Sequence, residues 1–292
     1  MLLRGGGHSW RSVRRTGLRS YLLVRTMTSG RPPSTLAQST LYRADAIVLR
    51  HRDLGEADRV LTLFTAEHGK LRVSVRGARR PKSRLGGHLE PLTRASVQIA
   101  RGRTLDVVTQ AQAVEVFHTA RANFLTLLHG LHMAELVDRF TQEQEPQEEL
   151  FSLLLEALRR LDGGHRADSL ARAFEIQVLS WAGFQPVLDR CASCDADVNG
   201  SRGQQAFSAQ LGGLLCSSCA SRQPGWTRQI PRGTVRDLQA LQREGLDGAA
   251  SLSMNEDSLA ELEALLRWYL RYILEVPLDT AAILDRVRAA SS

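Results

Sequence analysis

Cys191-x-x-Cys194 and Cys216-x-x-Cys219, with 21 residues between the pairs, constrain this 292-residue chain more than any other feature. Two such pairs let four thiolates converge tetrahedrally at about 2.3 Å from one Zn²⁺, so the intervening chain must fold back on itself. The 21-residue gap is slightly longer than the ~15–20 usual for such ribbons, which a hairpin between the pairs absorbs. Gly212-Gly213-Leu214, just ahead of the second pair, suits a tight bend beside a metal. Four protein ligands leave no open position, so the expected metal is one structural zinc per chain. Four cysteines are too sparse for a disulfide scaffold, and two equivalent pairs without a βαβ context argue against a redox site.

Hydrophobic periodicity divides the rest of the chain at Phe117. Before it come five short runs: Ala46–Leu49, Val60–Thr65, Leu71–Arg76, Leu92–Ile99 and Leu105–Gln110. Leu71-Arg72-Val73-Ser74-Val75-Arg76 alternates strictly, as a half-buried strand does. Five strands in so short a stretch predict a small closed β-barrel or a sandwich. Beyond Phe117 the period becomes helical. Phe124, Leu127, Leu128, Leu131, Ala134 and Leu136-Val137 trace one face; Leu150, Phe151, Leu154, Leu158 and Leu161 a second. Leu170, Phe174, Val178 and Trp181 trace a third, and Leu259 through Ile273 a late one, while 187–229 holds every cysteine and little periodicity.

Charge is unevenly spread. The first 44 residues hold eight arginines and no acid, whereas residues 118–292 carry a net −6. The acid-free segment before Tyr42 has the composition of a transit peptide or a nucleic-acid-binding arm, and it also fits a start site placed upstream of a true initiator at Met27. Residues 1–40 are therefore expected to be a basic, disordered tail outside the folded part. A second basic stretch, His68 to Leu89, contains Lys70, Arg72, Arg76, Arg79, Arg80, Lys82 and Arg84 and again no acid. Gly77 and Pro81 keep its centre from being helical, and a cationic loop leaving a small barrel is placed to track a phosphate backbone. Rings are scarce in the barrel region: Tyr42, Phe64 and Phe117. Backbone contact is thus expected over base reading.

No P-loop, dinucleotide-binding glycine pattern, HExxH or GxSxG is present. His129-x-x-His132 shares a helix face and reads as a surface or packing pair. Asp53, Glu56 and Asp58 cluster in a turn whose spacing matches no calcium loop; metal or acid–base roles are weighed there against turn and partner-binding ones. No apolar run approaches the ~18 residues of a membrane-spanning helix, so a soluble protein is expected.

Ala46–Leu49, Gly55–Thr65, His68-Gly69-Lys70, the basic run Arg76–Arg84 and Leu89-Glu90-Pro91-Leu92 form one ordered series. Ala134–Phe140, Leu150–Leu154, Phe174-Glu175, Gly183–Pro186, the first cysteine pair, Phe207-Ser208 and Gly212–Cys216 continue it. This series, covering residues 42–276 in order, carries a resemblance to the bacterial recombination-mediator family RecO. It implies an α+β multidomain chain: an N-terminal OB-fold β-barrel at 41–117, then an all-α domain at 118–292 carrying a four-cysteine zinc-finger insert at 187–229. It further implies binding of single- and double-stranded DNA, annealing of complementary strands, and loading of RecA onto single strands coated by single-strand-binding protein (SSB). Implied partners are RecR, the SSB C-terminal tail and RecF. Two other classes stand beside a non-enzymatic mediator: an RNA-binding barrel protein, and a zinc-dependent hydrolase, which needs an open metal position.

Overall fold

The computed structural model describes residues 41–81, 83–198, 203–223, 225–251 and 254–291; the basic tail 1–40 and Lys82 lie outside the described residues. Five strands close into a barrel: β1 (Leu41–Leu54), β2 (Asp58–Thr65), β3 (Gly69–Val75), β4 (Arg94–Ala100) and β5 (Asp106–Glu115). Their order is β1-β2-β3-β5-β4, with β4 returning to β1 and β3 parallel to β5. This five-stranded barrel is OB-like, so closure rather than a sandwich hides the strand edges. Strand β3 shows why the alternation was readable: Leu71, Val73 and Val75 point into the core and Arg72 points out. Strand β1 runs well past Ala46–Leu49. A register shift between Val48 and Arg50 bends it, so its first half pairs with β4 and its second half with β2.

Helices α1 (His118–Ala122), α2 (Phe124–Phe140), α3 (Glu148–Asp162) and α4 (Ala167–Trp181) follow. Phe117, with φ 55°, turns the chain from β5 into α1. The Asn123 side chain caps α2 by accepting from the Thr126 N–H at 3.0 Å. The buried stripe of α2 begins at Leu128, so Phe124 (59% exposed) stays in solvent and the cap, not burial, secures the first turn. Barrel and helices belong to one compact unit. Phe64 of β2 meets Phe151 of α3 with ring centroids 6.1 Å apart. Gly69 has φ +65°, and a Cβ there would stand 1.9 Å from the Glu145 carbonyl oxygen; only glycine lets the chain after α2 pass so close to the β2–β3 turn.

A second unit comprises Val187–Arg232 and Arg267–Pro277. It contains β6 (Gln204–Ser208), β7 (Gly213–Leu215), the short α5 (Ser217–Ala220) and β8 (Thr227–Pro231), with sheet order β7-β6-β8. The antiparallel β6–β7 pair occupies the gap between the cysteine pairs. The chain continues through α6 (Arg232–Glu244), α7 (Gly248–Ser251), α8 (Glu256–Leu274) and α9 (Asp279–Ser291), and the second half of α8 belongs to the smaller unit. No helix among the described residues is long and apolar enough to cross a membrane.

Candidate nucleic-acid interface and metal centre

The basic loop leaving β3 is fastened at its root by the β1–β2 turn. Asp58 Oδ1 accepts from the Gly77 backbone N–H at 2.8 Å, and the Arg79 N–H donates to the Ala57 carbonyl at 2.9 Å. Arg79 Nη1 donates to the Gly55 carbonyl at 3.1 Å, and its Nε lies 3.4 Å from Asp53. Gly77, at φ +64°, makes the reversal. Tight turns then follow: the Ser83 N–H donates to the Arg80 carbonyl, and the Gly86 N–H to Ser83 Oγ. Asp53 and Asp58 are thus loop anchors. Glu56 is exposed and forms no ion pair among the described residues.

The seven predicted cations have different surroundings. Lys70, 12% exposed, donates to the Asp138 carbonyl at 2.6 Å and to its carboxylate at 3.0 Å, a strut between β3 and α2. Arg79 is tied to the β1–β2 turn as described. Arg72 is exposed, with Glu143 3.7 Å away. Arg76, Arg80 and Arg84 are exposed and pair with no carboxylate among the described residues. Lys82 lies outside the described residues. Three unpaired guanidinium groups on one anchored loop make an anion-attracting patch. Arg43, Arg52, Arg101 and Arg103, outside the predicted set, are also exposed on the barrel. Arg101 lies 5.2 Å over the Tyr42 ring. The Arg101-Gly102-Arg103 turn carried a usable signal, cations flanking a turn glycine; Arg43 and Arg52 read only as outward strand positions.

The four cysteine sulfurs all lie within 4.8 Å of one another, and Cys194 Sγ is 3.8 Å from Cys216 Sγ. Tetrahedral zinc with Zn–S bonds of about 2.3 Å requires sulfur separations of about 3.8 Å. Two backbone bends build the cluster: the Asp195 N–H donates to the Cys191 carbonyl, and the Cys219 and Ala220 N–H groups to that of Cys216. Burial opposes ionisation of Cys191, but backbone N–H groups of Cys216, Ser193 and Cys194 directed at its sulfur hold it below the usual thiol range. Gly213 lets β7 approach Val187, whose carbonyl oxygen would be 2.5 Å from an added Cβ. The four residues fit a metal ion in number, donor chemistry and spacing.

The two histidines of α2 are packing groups, and the surface alternative falls away. His132 Nε2 lies 2.6 Å from Glu175, which also pairs with Arg172 at 3.0 Å; His132 Nδ1 faces Thr280 Oγ1 at 2.9 Å. All three of His132, Glu175 and Arg172 are at most 4% exposed. His129 is buried beside them.

A family model described as Recombination protein O N terminal matches residues 39–117, and one described as Recombination protein O C terminal matches 121–281. The chain is 41% identical over 246 residues to a protein of Pelotomaculum thermopropionicum named DNA repair protein RecO, covering 84% of this chain and 94% of that one. A protein of the same name from Desulforamulus reducens is 37% identical over 247 residues, covering 85% and 95%. One from Roseiflexus sp. is 38% identical over 251 residues, covering 85% and 86%. With the barrel matched by one half of the family and the helical, cysteine-bearing remainder by the other, the chain belongs to the RecO family of DNA repair proteins.

Proposed function

We propose that this chain is a non-enzymatic mediator of DNA repair and recombination that binds single- and double-stranded DNA and anneals complementary strands. The carrying observation is the exposed, unpaired trio Arg76, Arg80 and Arg84 on a loop fastened to a closed barrel. Such cations neutralise phosphates and release counterions, which needs no base contact and lets two strands be held close enough to pair. Arg72, Arg79 and Lys70 extend the same basic surface, and Lys82 is assigned to DNA contact from its place in the basic run alone. Lys70 and Arg79 contribute charge while their side chains brace the barrel and the loop.

In this reading residues 41–117 form the nucleic-acid-binding domain and 118–292 the helical docking domain, whose net −6 suits protein partners over polyanions. RecR, the SSB C-terminal tail and RecF are the partners, and loading of RecA onto SSB-coated strands is the outcome. Cys191, Cys194, Cys216 and Cys219 hold one structural Zn²⁺. Four thiolates fill its coordination sphere, so it braces the fold. The test is annealing of complementary oligonucleotides by the full chain, with and without SSB. Accelerated pairing in both conditions is expected; pairing no faster than without the protein contradicts the proposal. Preference for matched RNA over DNA favours the RNA-binding alternative.

A further inference from the structure

Trp226 stands 44% exposed in the turn ahead of β8. Its ring lies 5.8 Å from Trp268 at an interplanar angle of 33°, and 5.3 Å from Tyr272 at 56°. Trp268 is braced by Phe207, 1% exposed, whose ring meets it edge-on at 6.3 Å. All four rings belong to the smaller, cysteine-bearing unit. In a chain with only 5% aromatic residues, two tryptophans and a tyrosine gathered at one solvent-facing point mark an interaction surface.

The charge around this point tells what it accepts. Residues 203–232 contain Arg222, Arg228 and Arg232 and no acid, and Arg267 and Arg271 sit next to Trp268 and Tyr272 on α8. Arg222 and Arg271 are exposed. The acids of this unit are Asp189, Asp195 and Asp197, around the first cysteine pair, and Glu275, which flanks Tyr272 at the end of α8. Within a C-terminal region of net −6, this is a basic, aromatic island. Cations interleaved with an exposed ring held against neighbouring rings are the chemistry that grips single-stranded nucleic acid, because every base has a π-face and every linkage a phosphate.

We infer that the Trp226–Trp268–Tyr272 face is a stacking platform for unpaired bases of single-stranded DNA, with Arg222 and Arg271 neutralising the flanking phosphates. The inference rests on the DNA-binding function proposed above and adds to it a second contact surface, one that distinguishes single strands from duplex. The barrel loop, which offers cations and few rings, makes no such distinction. A basic platform on the metal-bearing unit gives an annealing protein a hold on bases before they pair.

The test compares the full chain with Trp226→Ala and Trp226→Phe on labelled oligo(dT), an abasic oligomer and a duplex of equal length. Trp226→Ala is expected to weaken oligo(dT) binding about 5-fold or more while leaving the abasic oligomer and the duplex unchanged, and Trp226→Phe to restore most of it. Unchanged oligo(dT) binding, or an equal loss on the abasic oligomer, overturns the platform. So does displacement of an acidic, aromatic-ended peptide by Trp226→Ala without loss of oligo(dT). If Trp226→Ala also lowers metal content, the pair Arg222→Gln and Arg271→Gln decides: a loss on oligo(dT) exceeding that on duplex supports the platform, and an equal or absent loss overturns it. Failure of the unmutated chain to bind either nucleic acid removes the proposed function itself; normal binding insensitive to Trp226 removes only the platform.

Discussion

Asp58 accepts the backbone N–H of Gly77 at 2.8 Å, the one side-chain acceptor at the glycine where the basic loop leaves the barrel, beside the contacts that the β1–β2 turn makes to Arg79. A carboxylate bound to a backbone N–H is a charge-assisted interaction worth about 1.5–3 kcal/mol. Asp58→Ala removes the acceptor and frees the loop root, while Asp58→Asn keeps a neutral one. DNA binding is expected to fall several-fold for the alanine variant and less for asparagine, with Arg76, Arg80 and Arg84 all still present. Equal affinity of the two variants and the parent, measured by fluorescence anisotropy, contradicts an anchoring role.

Metal content is the second expectation. Elemental analysis should give about one zinc per chain, and Cys191→Ser should lose it. Chelation is expected to release the ion, expose four titratable thiols and destabilise the cysteine-bearing unit, because binding free energy at such sites is folding free energy. A fully folded, metal-free preparation with four reactive thiols contradicts the centre.

The buried triad Arg172–Glu175–His132 supplies a third. Glu175 is the common partner, so Glu175→Ala leaves the 2%-exposed Arg172 without its carboxylate. A cost of about 3–5 kcal/mol is expected from denaturant unfolding, since an uncompensated buried charge costs more than the ion pair itself supplies. Less than about 1 kcal/mol would mean that Arg172 reaches another partner.

His129 gives a pH dependence with a definite sign. Burial, reinforced by the charges of Arg172 and His132, pushes its pKa down to about 4 from the usual 6.5. The unfolded chain therefore takes up a proton that the folded chain refuses. Stability from this group is complete above about pH 6.5 and falls by up to about 1.4 kcal/mol per pH unit as the pH drops toward 4. His129→Gln should flatten the unfolding free energy over that window. An unchanged slope between pH 6.5 and 4 would show that the folded state admits the proton.

The barrel was legible because its strands are half-buried: Leu71, Val73 and Val75 alternate with Arg72 and Ser74, and that period survives in the sequence. The helices α2, α3, α4 and α8 were legible from apolar spacing, as was the hairpin between the cysteine pairs from the length of the gap. Helix α6 was not, being strongly polar, nor was α9, where Ile283, Leu284 and Val287 are the large apolar residues among alanines and charges, nor β8, whose Thr227–Pro231 run carries Arg228 and Gln229. Site residues divide by whether their role depends on distant partners. The cysteines announce themselves by local spacing. Lys70 reads in the sequence as one cation of the basic stretch, and only the fold shows that Asp138, 68 residues on, holds its ammonium. Trp226 and Trp268 are 42 positions apart, and only the fold brings their rings to 5.8 Å of each other.

The central claim is that exposed cations on the anchored barrel loop hold DNA by charge. It is tested most directly by the salt dependence of oligonucleotide binding for the full chain and for Arg76→Gln, Arg80→Gln, Arg84→Gln combined. The account predicts weaker binding on every sequence and a slope of log K against log salt shallower by about 2–3, roughly one for each phosphate no longer neutralised. An unchanged affinity with an unchanged slope would contradict it.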